Sequence, residues 1–298
     1  MGTVMTEDGI PDIKHVQVDD NTLREFKNEE EFNGLGVDLL IEVGSYTCLA
    51  ACLLPGDTKC WNRNQAVLGG LLVRLYKLLS ALLDQTCQHH RETSFVFARL
   101  AFECIINIQY FIAKSSDEVY EAYIFYSLRH ERRLRDKILE NIKKRHGEPL
   151  PIERRMLASI ERSAKASNVS LDDVNPARWK KWSDNNVFER ADSIGLGETY
   201  LGMFGGPSHT VHGNWQDLLE YHLEELDSGF GPELEWHNPR PQLLFAIGIV
   251  TVDMLKSYLA HLAKETADRI ILELDDLLER LILSNDEHEK FIIDRQIA

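Results

Sequence analysis

The spacing of the apolar residues between Gln65 and His89 most restricts what this chain can become. Val67, Leu68, Leu71, Leu72, Leu75, Leu78, Leu79, Leu82 and Leu83 recur at steps of three and four, the period that puts one apolar stripe on an α-helix, whereas a strand would alternate. Thr93 to Ala113 repeats the pattern with Phe97, Leu100, Ala101, Cys104, Ile105, Ile108 and Phe111. The short polar connection between the two stretches makes them an antiparallel helical hairpin. Asp117 to Arg145 reads as a third long helix, with acidic residues at its start and Lys and Arg at its end, as the helix dipole favours.

The rest of the chain extends this reading. Asp38 to Leu54 predicts a first short helix closed by Pro55-Gly56, and Glu153 to Ala166 and Ala177 to Ile194 predict two shorter ones. Leu243 to Ala263 is strongly apolar, and Thr266 to Leu283 is amphipathic with an acidic outer face. Neither a strand pattern nor a repeat is visible, and GxGxxG and GxxxxGK[ST] loops are absent, which disfavours a nucleotide-binding α/β domain. The expected fold is an all-α bundle of long antiparallel helices over 37–265. An acidic, mobile arm is expected at 1–36 and a C-terminal amphipathic helical extension at 266–298.

A net charge of −15 argues against a general nucleic-acid-coating protein. Between Arg129 and Lys181, however, fifteen basic residues face eight acidic ones. That segment is either a local basic surface or a solvated helix laced with i,i+4 pairs. Five cysteines, Cys48, Cys52, Cys60, Cys87 and Cys104, contain no CxxC pair and read as reduced, buried thiols. The N-terminal residues lack the basic-then-apolar order of a secretory signal, and the longest uncharged apolar stretch, Leu243 to Val252, is short of the roughly 20 residues of a span. A cytoplasmic location without a membrane partner is the expectation.

Two constellations carry chemistry. Arg99 and Glu103 stand at i and i+4 beside an apolar stripe, so they share a helix face. Arg can hold a phosphate bidentately and Glu can orient a histidine or act as a base, or the two simply form an internal ion pair. The second is Tyr200, Ser208, His209 and His212, set among glycines at 195, 197, 202, 205 and 206. With a helix starting near Pro207, Ser208 lies one turn before His212, which becomes a candidate acid or base, Ser208 a hydrogen-bonding hydroxyl and Tyr200 a donor. Alternatively Ser208 caps a helix and His212 only packs. The pair His209 and His212 with Glu198 has weak metal-site spacing, and GGPSH lacks a nucleophile elbow. No metal, cofactor or covalent nucleophile is assigned.

The order of these features, the helix at 65–89, the RLAFE helix bearing Arg99 and Glu103, the helix from Asp117 and the later Tyr200, Ser208, His212 cluster, resembles a bacterial helical family of unknown function that is HEPN-like. The resemblance covers about 60–263. It implies a helical bundle, often dimeric, of the antiviral-defence or toxin–antitoxin kind, with RNA as substrate, cleavage without a metal and a partner or antitoxin as control. The usual signature of such proteins, Arg followed after four to six residues by His, is missing. Arg280 to His288 comes nearest and is one residue too long. The resemblance therefore implies a composite centre in which Arg99 holds a phosphate, His212 moves a proton and Glu103 fixes the imidazole, with Ser208 and Tyr200 beside them. The competing expectation is a non-catalytic interaction or ligand-binding protein. A homodimer is expected, the apolar stripe of 266–283 being able to pair with a second copy as readily as to pack on the chain's own core.

Overall fold

The computed structural model describes residues 13–54, 59–262 and 265–297, and side chains at these positions other than 204–210, 265, 266, 296 and 297. In chain order they form α1 (Asp20–Arg24), α2 (Glu29–Cys52), α3 (Arg63–Cys87), α4 (Arg91–Lys114), α5 (Asp117–Lys144), α6 (Pro151–Ala166), α7 (Val187–Ser193), α8 (Gly197–His212), α9 (Trp215–Tyr221), the strands β1 (Leu223–Leu226) and β2 (Gly229–Pro232), α10 (Pro241–Leu262) and α11 (Glu265–Ile297). The protein is an all-α helical bundle with one small hairpin. The chain divides into two compact units, the first of Met1–Trp61, Leu68–Ala113 and Val187–Ala298, the second of Asn62–Val67 and Lys114–Asn186.

In the first unit α2, α10 and α11 pack on one another. Close approach depends on two glycines: a Cβ at Gly36 would lie 3.0 Å from Leu244 Cδ1, and one at Gly248 would lie 3.0 Å from Leu281 Cδ2. Leu39, Leu40 and Val43 of α2, Phe245 and Leu255 of α10 and Leu274, Leu277 and Leu281 of α11 are sealed from solvent, the apolar burial that drives helix packing. In α3 the buried residues are Leu68, Leu71, Leu72, Leu75, Leu79 and Leu82, the stripe read from sequence. Its tie to α4 includes Cys104 Sγ–H donating to the Leu71 carbonyl at 3.7 Å.

An ionic cluster threads this apolar core. Arg280 of α11 donates from Nη2 to Glu42 Oε1 at 2.7 Å and from Nη1 to Glu42 Oε2 and the Val16 carbonyl, both at 2.8 Å. Val16 N–H donates back to Glu42 Oε2 at 2.9 Å, and Arg280 Nε reaches Asp276 at 2.8 Å. His288, the histidine nearest to the missing signature, is fully buried with its ring 4.9 Å from that of Phe32. Burial pushes its pKa down. Arg280 and His288 are thus built into the core.

The second unit centres on Ile124, Leu128, Ile138, Ile160, Ala164, Leu171 and Val174, from α5, α6 and the turn after it. Much of the basic stretch pairs internally: Arg132 with Asp136 and Asp172, Arg135 with Asp172, Lys137 and Lys144 with Glu140, and Arg145 with Glu153. Of the two readings of that stretch, the laced helix describes α5.

Several expectations are corrected. Helices occupy Asp20–Arg24 and the stretch from Glu29 to 36 where an arm was expected, α2 running on into the helix expected from Asp38, because Asp19 and Asn28 cap them and the acidic residues at Glu29, Glu30 and Glu31 fall in a first turn. The 266–283 stripe belongs to a 33-residue helix whose Ile270, Leu274, Leu277 and Leu281 are spent on the chain's own core, so it is no appended extension. Of 177–194 only Val187–Ser193 is helical; Trp179 and Trp182 pack instead on Phe125 and Tyr123, with centroids 5.2 and 5.3 Å apart. Arg129 Nη1 donates to the carbonyls of Trp179 and Lys180. Four of the five cysteines are exposed and only Cys104 is buried, since Cys48 and Cys52 ride the outer side of α2. Pro55-Gly56, placed as a helix stop, lies outside the described residues. The helices α2, α3, α4 and α10 are each long and apolar enough to cross a membrane by length and composition, which the search for uncharged runs alone did not bring out.

Candidate functional site

Arg99 and Glu103 occupy successive turns of α4, both only half-buried on a helix whose neighbouring Ala98, Ala101, Phe102 and Ile106 are buried. Facing them is the α7–α8 pair. Leu196 N–H donates to the Ala191 carbonyl at 2.8 Å and Gly195 N–H to Asp192 at 3.0 Å, closing a tight turn. At φ +79° Gly195 takes the left-handed backbone that favours glycine, and a Cβ at Gly197 would meet Asp192 Oδ1 at 2.5 Å. This turn folds α8 back on α7, so that the Tyr200 ring stands edge-on to Phe188 at 5.3 Å.

Tyr200 is where the charged groups meet. Its phenol pKa is raised by burial; the Arg99 and Arg190 guanidinium groups pull it down and the Glu103 carboxylate pushes it up. All three charges are therefore within electrostatic reach of one hydroxyl, and that hydroxyl stays protonated at neutral pH. Arg190 of α7 is buried, so one guanidinium backs the cluster from inside while Arg99, Glu103 and Tyr200 keep contact with solvent. Two guanidinium groups, a carboxylate and a phenol can hold a phosphate and exchange protons around it.

The remaining candidates stand further along the helix that bears Tyr200. The helix bearing Tyr200 starts at Gly197 and continues through Gly205, Gly206 and Pro207, where a start near Pro207 was expected. His212 is its last residue and is exposed, twelve positions and so about 18 Å along the axis from Tyr200. The side chains of Ser208 and His209 lie outside the described residues. Among the described residues no three His, Cys, Asp or Glu side chains are grouped to hold a metal ion.

One charged pair escaped the sequence reading. Glu92 is 5% exposed and accepts from His237 Nδ1 at 2.6 Å and from His237 N–H at 3.3 Å. Arg91 completes the clamp by donating from its backbone N–H to the His237 carbonyl at 3.0 Å and from Nε to the Asn238 carbonyl at 2.6 Å. A separation of 145 residues between Glu92 and His237 leaves no local signal for this pair.

No curated protein and no solved structure matches the chain. Residues 65–230, which include Arg99, Glu103, Arg190, Tyr200, Ser208 and His212, match the model of a family of unknown function, DUF5677. Because that match covers more than half of the 298 residues, the chain belongs to this family of unknown function.

Proposed function

We propose that the protein is a HEPN-like, defence- or toxin-type endoribonuclease that works in the cytoplasm under the control of a protein partner, with its centre at Arg99, Glu103, Arg190 and Tyr200. The reading is supported by the electrostatic influence that Arg99, Glu103 and Arg190 each exert on the half-buried Tyr200 hydroxyl. Arg99 holds the scissile phosphodiester, and the buried Arg190 adds positive charge behind it. Glu103 takes the proton from the ribose 2′-hydroxyl as that oxygen forms its bond to phosphorus. The bond from phosphorus to the 5′-oxygen breaks, and Tyr200 delivers its proton to the departing oxygen; Glu103 then returns a proton to Tyr200 through solvent. The products are a 2′,3′-cyclic phosphate and a 5′-hydroxyl, and the protein supplies no nucleophile of its own. His212, at the far end of the helix, is left out of this centre, and Ser208 is given no role in it.

The test is cleavage of single-stranded RNA by the purified chain in EDTA. Arg99→Ala and Glu103→Gln are expected to lower the rate by about 10²-fold or more, and His212→Ala to leave it within a few fold. An inert wild type, or full activity in Arg99→Ala, overturns the proposal. A second reading, a non-catalytic interaction protein that pairs with its own copy, is favoured by the exposure of Trp215 and Phe230, whose rings meet edge-on at 5.7 Å. Light scattering of wild type and Trp215→Ser decides it: a monomeric wild type at micromolar concentration rejects this dimer.

A further inference from the structure

At the end of the first unit where α2, α4 and α10 begin and α11 finishes, two adjoining hollows of about 740 and 380 Å³ share Glu29, Arg91 and Arg295 as walls. The smaller one adds Arg240 and Gln242. Three guanidinium groups around one hollow are unexpected in a chain of net charge −15 unless something offsets them. Glu29 does not: among the described residues no ion pair within 4.0 Å joins it to any of the three. Two of the arginines are oriented by backbone. Arg91 Nε donates to the Asn238 carbonyl at 2.6 Å, and Arg295 Nη2 donates to the Lys27 carbonyl at 3.2 Å while its guanidinium lies 4.6 Å over the Phe291 ring. Their other N–H groups are left to fork toward an anion. The positive ends of the α2, α4 and α10 dipoles add to the same field.

The larger hollow has a different character. It is bordered by Thr86, whose side chain is buried, and by Asn33. Thr86 Oγ1 and Asn33 Oδ1 have no hydrogen-bond partner, and neither has Gln242 Oε1 in the smaller hollow. Unmatched buried acceptors of this kind cost stability. Together with the Glu29 carboxylate, they call for hydroxyl or amino donors beside the anion. A group with a phosphate at one end and vicinal hydroxyls next to it meets both demands, and each hollow by itself lies in the size range of small-molecule sites.

We infer that the cleft between Arg91, Arg240 and Arg295 is a binding site for a ribonucleoside monophosphate, with the phosphate on the three arginines and the ribose hydroxyls on Glu29 and Asn33. The site is separate from the Arg99 and Tyr200 cluster and stands whether or not RNA is cleaved there. Its role is that of a ligand site on the bundle, outside the family-matched segment at Glu29, Arg240 and Arg295.

The four ribonucleoside 5′-monophosphates, their nucleosides and inorganic phosphate are titrated calorimetrically into the full chain. At least one monophosphate is expected to bind with Kd below about 1 mM, and the nucleoside and inorganic phosphate each about tenfold or more weaker. Arg240→Gln and Arg295→Gln are expected to raise Kd by about tenfold each, with the circular dichroism spectrum unchanged. Arg240 is exposed and has no role in the core, so its variant separates binding from folding. The inference is overturned if no monophosphate binds below about 1 mM, if Kd is unaltered in both variants, or if inorganic phosphate binds as tightly as the nucleotide.

Discussion

Replacing Arg280 by Met tests how the core tolerates charge. Arg280 and Glu42 are sealed from water to 7% and 2%, and the guanidinium supplies two of the three donors to that carboxylate, Val16 N–H being the third. Arg280→Met keeps most of the side-chain volume but leaves Glu42 as a buried anion with one donor. It also strips the Val16 carbonyl of its partner. Breaking one side of a buried pair costs about 3–5 kcal/mol, a large share of a total stability of about 5–15 kcal/mol. Removing the charge from both sides, Glu42→Leu with Arg280→Met, leaves no orphan ion, and most of that loss is expected to return. What persists is the cost of the Val16 N–H and carbonyl, both left unmatched, about 1 kcal/mol each at this half-buried position. Urea unfolding followed by circular dichroism measures each variant, and the double-mutant comparison isolates the coupling. A loss under about 1 kcal/mol for Arg280→Met, or a double variant as damaged as the sum of its singles, refutes the reasoning.

Other outcomes follow from single side chains. Because burial holds the His288 pKa below its unfolded value near 6.5, the native state binds fewer protons there; its contribution is fully present above that pH and falls as pH drops toward the depressed native pKa, by at most about 1.4 kcal/mol per unit. His288→Phe is expected to flatten the fall in urea midpoint between pH 7.5 and 5.5, and an unchanged slope rejects the assignment. A Cβ at Gly69 would sit 2.4 Å from the Trp61 ring, so Gly69→Ala should displace that indole, lower stability by about 1–3 kcal/mol and shift tryptophan emission. Unaltered emission and stability would show that the ring accommodates it. Tyr200→Phe removes the hydroxyl and keeps the ring against Phe188, so the fold should persist while RNA cleavage drops; equal cleavage rates by wild type and variant would clear Tyr200 of a chemical role.

The long helices were legible because their stripes are spent as written: Leu68 to Leu82 of α3 and Leu274 to Leu281 of α11 are buried at helical spacing. What the sequence hid are features fixed by distant partners. The hairpin of Leu223–Leu226 and Gly229–Pro232 alternates too little to declare itself, its strands being mostly exposed. Trp179 and Trp182 have helical spacing, yet they are held by Phe125 and Tyr123 without a helix around them. In the candidate site, Arg99 and Glu103 announced themselves as charges on an apolar helix and Tyr200 by its glycine-rich setting. Arg190 gave no local sign, because its burial depends on how the Gly195 turn folds α8 back. Glu92 with His237, and the arginines 91, 240 and 295, are assembled only once α4, α10 and α11 end at the same place.

The bond between Glu42 and Arg280 joins residues 238 apart, which bears on how the chain is made. A ribosome releases Glu42 long before Arg280 exists, so the growing chain carries a carboxylate whose burial is not yet offset and an α2 whose apolar face awaits α10 and α11. Closure of that bundle must wait until residue 280 has been made, and the separation between partners slows the search for them. Until then the apolar flanks of α2 are open to chaperones and proteases. Chains that stop before residue 280 therefore lack the lock on α2.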